Sequence, residues 1–216
     1  DFKKKIENSY NNIKCVLAGE NKGYSSANNI GLKLVKTKYA LVLNPDTILH
    51  EKAIENFLLS NNLNKDFWLM GPANDQIKNF DFKDSNYLEV ENLKGFAIFF
   101  DLSKFDGKFF DEEFFLFFEE IDLCKRVKKN YGKIFLNKSI VITHEGASSV
   151  NKKNTHELEK NRNWHWMWST FYFQKKYKGF FIAFIIIFPK LFSALIKTLF
   201  YFLTLNNKKK DIFFCR

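Results

Sequence analysis

The feature that most limits the possible folds of this chain is an alternation of short apolar runs with helix-length segments. The apolar runs of strand length are IKCVLA (13–18), YALVL (39–43), FWLMGP (67–72), LKGFAIFF (93–100) and a late run ending at His144. Helical patterns lie between them, at 27–36, 50–62 and 119–132. Continuous apolar runs favour strands that are buried on both faces. The order therefore predicts an α/β fold, with a mostly parallel sheet flanked by helices.

Length and composition predict one main domain with a C-terminal helical extension. The chain has 216 residues, of which 46% are hydrophobic, and its net charge is +10. Three widely spaced cysteines argue against a disulfide framework and favour a reducing compartment. The positive charge indicates an anionic partner such as a phosphorylated ligand, lipid headgroups or nucleic acid. No nucleic-acid-binding motif accompanies the charge, and the lysines sit beside apolar runs, so we expect no nucleic-acid partner.

Two candidate metal ligands follow predicted strands. The Asn44-Pro45-Asp46 turn comes directly after the run 39–43, and His144 closes the last strand-like run. Ligands of open α/β sheets bind beyond the carboxyl ends of strands. A carboxylate and a neutral imidazole at such an edge can bind a divalent metal. An Asn-Pro-Asp turn that only caps the following helix is the alternative, and both interpretations stay open at this point.

Two adjacent glutamates, Glu119 and Glu120, open the third predicted helix. Negative charge at a helix N-terminus stabilises it by about 0.3 to 1 kcal/mol, so these residues alone favour a structural role. Asp122 and Arg126 stand at i and i+4 and predict a salt bridge on the same helix.

Four segments in this order resemble the inverting glycosyltransferases of family 2, which have a GT-A fold, and more closely their bacterial rhamnosyltransferase-like branch. They are NKGYSSANNIGLKLVKTKYALVLNPDTIL, LKGFAIFF, FFDEEFFLFFEEIDLCKRV and IVITHEGASS, spanning roughly residues 21–149. The resemblance implies a catalytic domain over residues 1–170. It also implies transfer of a sugar, rhamnose-like or other, from a dTDP- or UDP-linked donor. The acceptor would be a saccharide or a lipid-linked saccharide in cell-surface polysaccharide synthesis.

The resemblance also implies catalytic roles for particular residues. Asn44-Pro45-Asp46 takes the place of the family's D-x-D motif, with Asn44 replacing the first acid. Asp46 and His144 would then hold a Mg or Mn ion on the donor diphosphate. Glu120 would be the general base that takes the proton of the acceptor hydroxyl, and Glu119 would assist in binding or positioning.

A donor-binding set is implied in the same way, and its members are Asn21, Gly23, Asn28, Asn29, Gly31, Asn44 and Gly95. The first five lie around a predicted helix start, with Ser25 or Ser26 as N-cap, where free backbone amides suit an anion. The family's first strand and its V-D-N-x-S segment are not found, so we expect an N-terminally incomplete domain. An inactive relative that binds sugar nucleotides or scaffolds a membrane assembly is the alternative.

The C-terminal tail, residues 171–216, predicts a membrane-associated helix. Its apolar run 180–188 is too short to cross a bilayer, and Pro189, Lys190 and Lys197 interrupt its continuation. The two lysines share one helical face, whereas the opposite face is apolar. Further lysines flank the segment on both sides, which favours lying on the cytoplasmic face of the inner membrane. A helix docked on the catalytic domain is the alternative.

Overall fold

The computed structural model describes residues 2–62, 66–73, 85–144 and 155–215. The helices are α1 Phe2–Ser9, α2 Gly23–Leu34, α3 Ala53–Asn62, α4 Glu119–Lys129, α5 Thr155–Lys178, α6 Phe180–Leu203 and α7 Asn207–Phe214. The strands are β1 Tyr39–Leu43, β2 Thr47–Leu49, β3 Leu69–Pro72, β4 Tyr87–Glu89, β5 Ala97–Asp101, β6 Ile134–Asn137 and β7 Ile142–His144. The predicted α/β class is confirmed, with helices flanking a mixed sheet and an apolar helix near the C-terminus.

The main sheet has the strand order β1-β5-β3-β6-β4. Among the described pairings β3–β6 is parallel, and β1–β5, β3–β5 and β4–β6 are antiparallel. The expectation of a mostly parallel sheet is therefore wrong. The continuous apolar runs correctly indicated burial on both faces for β3 and β5, but not for β1, which is only partly buried. Burial on both faces does not determine strand direction.

The core covers both faces of this sheet, and β5 is therefore buried along its whole length. On one face Phe100 belongs to the cluster that contains Leu123 of α4. On the other face Phe99 stacks on Phe57 of α3, with ring centroids 4.0 Å apart. Each such buried phenylalanine contributes roughly 1.5 to 3 kcal/mol to folding. The two clusters fix α3 and α4 on opposite sides of the sheet.

The predicted strand IKCVLA is wrong. Residues 13–18 form no strand, and Ile13, Val16 and Leu17 are 46%, 47% and 74% exposed. A strand needs a paired neighbour, but β1 forms the sheet edge and no residue of 13–18 is paired with it. The segment is instead held to α1 by a hydrogen bond from the Cys15 amide to Glu7 Oε1, at 2.8 Å.

Two smaller assemblies complete the fold. Strands β2 and β7 form an antiparallel two-stranded sheet in which Thr47 is opposite His144. Helix α5 packs against α6, and α7 contacts both of them. Helix α6 continues through Pro189 without a break. The domain boundary expected between residues 170 and 171 falls inside α5.

Candidate active site

The Asn44-Pro45-Asp46 turn is held at both of its ends. The Asn44 amide donates to the Phe96 carbonyl at 2.8 Å, which extends the β1–β5 ladder by one residue. The Thr47 hydroxyl donates to the Asn44 carbonyl at 2.7 Å and closes the turn. Proline restricts the backbone between these two contacts. The turn therefore presents Asp46 from a fixed position at the end of β1.

The structure brings the two predicted metal ligands together. Asp46 Oδ1 lies 3.2 Å from His144 Nε2, and the Asp46 side chain is 11% exposed. The register of β2 against β7 causes this approach, because Thr47 and His144 are cross-strand partners. The His144 ring also stacks on Phe96, with centroids 5.0 Å apart and planes 4° from parallel. The distance between Asp46 Oδ1 and His144 Nε2 is short enough for both atoms to bind the same cation.

These donors fit a hard or borderline divalent cation, since they pair a carboxylate oxygen with an imidazole nitrogen. Within the described ranges, no group of three or more His, Cys, Asp or Glu side chains could hold a metal. A cation on Asp46 and His144 would therefore need further oxygen ligands, such as diphosphate oxygens and water. The last residues of the late motif, 145–149, lie outside the described residues.

Glu119 and Glu120, the acid pair, begin α4 and are largely withdrawn from solvent. The Oε2 atom of each has no hydrogen-bond partner among the residues that the structure describes. Burial, together with the negative charge of Glu120, raises the pKa of Glu119 to about 8. Burial also raises the pKa of Glu120. A carboxyl group whose pKa is raised toward neutrality can exchange protons near neutral pH.

Tyr24 and Gly95 lie directly beside the acid pair. A Cβ on Gly95 would lie 3.6 Å from the Tyr24 hydroxyl and 3.7 Å from Glu120 Cβ. The Tyr24 hydroxyl donates to the Gly95 carbonyl. Burial and the charges of the acid pair raise the pKa of Tyr24. Tyr24 is a site residue that the sequence analysis missed, although it follows Gly23 in the first resembling segment.

Gly95 and Phe96 connect the two halves of the site. Gly95 borders Glu120, and the next residue, Phe96, contacts both Asn44 and His144. The acid pair and the Asp46–His144 pair therefore lie along one edge of the sheet, separated by a single stretch of backbone. The structure thus collects residues from four of the predicted segments at one place.

The backbone that leads into α4 is strained. Phe117 and Phe118 have φ angles of 72° and 69°, a left-handed conformation that is unfavourable for aromatic residues. Helix α5 supports this conformation, since the Ser169 hydroxyl donates to the Leu116 carbonyl at 2.8 Å and Phe173 packs on Phe118. The position of the acid pair therefore depends on α5.

Two of the predicted donor-binding residues are used to pack α2 against the phenylalanine-rich loop before α4. Asn29 is buried, and its side chain exchanges two hydrogen bonds of 2.9 Å with the backbone of Phe110. A Cβ on Gly23, which has a φ of 76°, would lie 2.4 Å from the Phe115 carbonyl oxygen. These contacts give both residues a structural role, and their contact with a nucleotide stays a prediction.

The other predicted donor-binding residues of this region also lie on or beside α2. Asn21 Oδ1 accepts a hydrogen bond from the Gly23 amide at 3.1 Å. The expected N-cap at Ser25 or Ser26 is wrong, because α2 already begins at Gly23. Asn28 donates to the Tyr24 carbonyl at 2.9 Å. Gly31 is exposed and has open space around it. Their roles toward a nucleotide also stay predictions.

Asp122 joins α4 to α5. The predicted salt bridge with Arg126 is confirmed, at 2.8 Å between Asp122 Oδ2 and Arg126 Nε. Asp122 is fully buried, and its Oδ1 also accepts from the Tyr177 hydroxyl at 2.7 Å. Lys176 Nζ lies 2.6 Å from both Asp122 and Asp111. Nothing in the sequence pattern indicated that the end of α5 holds the start of α4.

Comparison with models of protein families gives a match over the N-terminal part of the chain. The model of a family described as Glycosyl transferase family 2 matches residues 2–122, which is more than half of the chain. The matched region includes Tyr24, Asp46, Gly95 and the acid pair, whereas His144 lies beyond it. No curated protein matches the chain.

Proposed function

Because the chain belongs to glycosyl transferase family 2 and is therefore a glycosyltransferase, we propose that it transfers a sugar with inversion at the anomeric carbon. The family implies a nucleotide-sugar donor and an acceptor. We further propose a dTDP- or UDP-linked donor of a rhamnose-like sugar, and a saccharide or lipid-linked acceptor of a cell-surface polysaccharide. The observation that supports the mechanism is that the acid pair borders Gly95 and the Asp46–His144 pair borders the next residue, Phe96.

Asp46 and His144 are proposed to hold a Mg or Mn ion. When bound, such an ion neutralises the charge that develops on the diphosphate leaving group. The short Asp46–His144 distance supports this role, as does the stacking of His144 on Phe96, which limits the movement of the imidazole ring. Asn44 keeps the turn in register through its bond to Phe96.

Glu120 is proposed to be the general base. The acceptor hydroxyl oxygen attacks the anomeric carbon, its proton moves to Glu120, and the bond to the diphosphate breaks. Glu119 is more deeply buried, and with a pKa of about 8 it holds its proton at neutral pH. With Glu120 ionised, the pair carries one negative charge, and the base then lies next to an uncharged acid. Tyr24, beside the pair, fixes the Gly95 backbone that borders Glu120.

The metal assignment is tested with Asp46→Asn, which keeps the size of the side chain and removes its charge. We expect sugar transfer to fall about 100-fold or more, and Mn-dependent binding of UDP or dTDP in calorimetry to be lost. Asp106→Asn is the matched control, because Asp106 lies exposed in a turn. Unchanged transfer by Asp46→Asn would refute the assignment. Metal-dependent binding without turnover in the wild-type chain would indicate the inactive relative instead.

We also propose that the C-terminal helices attach the enzyme to the cytoplasmic face of the inner membrane. Helix α6 has 24 residues. Its most apolar stretch of 18 residues has a mean hydropathy of 2.1, and only 17% of that stretch is buried in the protein. By length and composition, α6 is therefore also long and apolar enough to cross a bilayer. Its outward side chains are apolar and exposed, and they include Phe181, Ile185, Phe188, Phe192, Leu195, Leu199 and Phe202. An exposed apolar face of this extent is typical of membrane or protein contact.

Lying on the surface is favoured over crossing by the position of the lysines of α6. Lys190 Nζ lies over the Trp166 ring of α5, and Lys197 Nζ lies over the Phe213 ring of α7. A crossing would place both lysines in the hydrocarbon, at about 2.5 to 3.5 kcal/mol each near the centre. If α6 instead lies in the plane of the membrane surface, both lysines stay on the side of the helix that faces α5 and α7. Extraction with alkaline carbonate tests this, because a surface helix is released and a spanning helix is retained.

A further inference from the structure

A cavity of about 270 Å³ lies between α5 and α6, and neither the acid pair nor the Asp46–His144 pair lines it. It is lined by Trp166, Met167, Pro189, Lys190 and Ser193. No acidic side chain is among these residues, and three of them, Trp166, Lys190 and Ser193, carry hydrogen-bond donors on their side chains. The cavity is therefore suited to an anion rather than to a cation.

Lys190 supplies the charge in this cavity. Its Nζ lies 4.2 Å from the centroid of the Trp166 ring, a cation–π contact that keeps the ammonium group at the cavity. In the described part of the chain, no carboxylate lies within ion-pair distance of Lys190. The residue stands in the middle of an apolar helix, where an ammonium group without a carboxylate calls for another anion or for water.

Ser193 and Pro189 shape the remaining wall. Ser193 is three residues after Lys190 and therefore on the same side of α6, so its hydroxyl can donate beside the ammonium group. Pro189 has no amide hydrogen, so the helix ladder of α6 lacks one donor at this position. An ammonium group and a hydroxyl at one concave position are the donors that a phosphate oxygen accepts from.

We propose that this cavity binds the phosphate group of an anionic membrane lipid. The inference rests on the proposed attachment of α6 to a membrane surface, which would bring headgroup phosphates to the level of Lys190 while acyl chains contact the exposed apolar face. Binding in the cavity can be distinguished from general attraction to a charged surface, because Lys190 of α6 lines the cavity and Lys197 of the same helix does not.

The matched pair Lys190→Met and Lys197→Met tests the site with the full chain. Both changes remove one positive charge from the same helix and replace it with an apolar side chain. Flotation uses phosphatidylcholine vesicles that contain either phosphatidic acid or oleate at equal surface charge. We expect Lys190→Met to weaken binding to phosphatidic acid vesicles about tenfold more than Lys197→Met does, with no such difference on oleate vesicles. Equal losses in the two variants would overturn the proposal.

Soluble ligands separate the lipid from free phosphate and from the membrane proposal. In phosphorus NMR, we expect dihexanoyl phosphatidic acid below its micelle concentration to bind the wild-type chain but not Lys190→Met, with inorganic phosphate much weaker. Equal binding of inorganic phosphate would overturn the lipid assignment. Lys190-dependent binding of the short lipid without vesicle binding would support the cavity and refute membrane attachment. Vesicle binding that is equal in both variants would leave attachment intact and refute the cavity.

Discussion

Replacing Glu119 with glutamine removes a carboxyl group that the fold keeps protonated. Burial and the charge of Glu120 raise the pKa of Glu119 from its ordinary 4.5 to about 8. Between these pH values the folded protein holds a proton there that the unfolded chain releases. The stability linked to this proton is complete below pH 4.5 and is lost as the pH rises through 8. With about 1.36 kcal/mol for each pKa unit, a difference of about 3.5 corresponds to roughly 3 to 5 kcal/mol.

Urea unfolding followed by circular dichroism at pH 5, 7 and 9 measures this effect. The free energy of unfolding of the wild-type chain should fall from pH 5 to pH 9, and Glu119→Gln should lose most of that fall. The variant should therefore be the more stable protein at pH 9. Glu55→Gln, at an exposed position on α3, is the matched control and should follow the wild-type curve. Parallel curves for wild type and Glu119→Gln would refute the assignment of a protonated Glu119.

Two further predictions concern how the site is held together, and both are measured as free energies of unfolding. Gly23→Ala should lower the free energy of unfolding by about 2 to 4 kcal/mol, because the new Cβ would lie 2.4 Å from a carbonyl oxygen at a residue with positive φ. Gly31→Ala, in open space within α2, should instead raise it by up to about 1 kcal/mol. Equal effects of the two changes would contradict this packing. Lys176→Met should cost about 1 to 3 kcal/mol by removing a partner of buried Asp122, and Lys178→Met, which lacks that contact, should change little.

Local elements were predictable from the sequence where side-chain pattern alone decides them. The strand 39–43 was predicted with the bounds that β1 has, and the helix that begins at Glu119 was predicted with its internal Asp122–Arg126 salt bridge. Both depend on neighbours along the chain, through apolar continuity in the first and i,i+4 spacing in the second. The run 13–18 had an equally suitable composition, but a strand also needs a partner, which local pattern cannot reveal.

The candidate site was predicted in its residues but not in its construction. The expectation that Asp46 and His144 converge came from their positions after apolar runs. In the structure the two meet through the antiparallel β2–β7 pair, and β2 had no recognisable signal in the sequence. The helix start at Gly23 and the contact of Gly95 with Glu120 likewise depend on packing between distant segments.

By itself, the sequence determined the α/β class, the family, and the order of the motifs that carry the acid pair and Asp46. Those features are written in residue types and short spacings. Only the tertiary structure decided the strand directions, the place of Tyr24 beside the acid pair, and the hold of Lys176 on Asp122. It alone also decided that Glu119 keeps its proton near neutral pH. The physical reason is that burial, pKa and hydrogen bonding depend on which atoms surround a group, and these come from residues far along the chain.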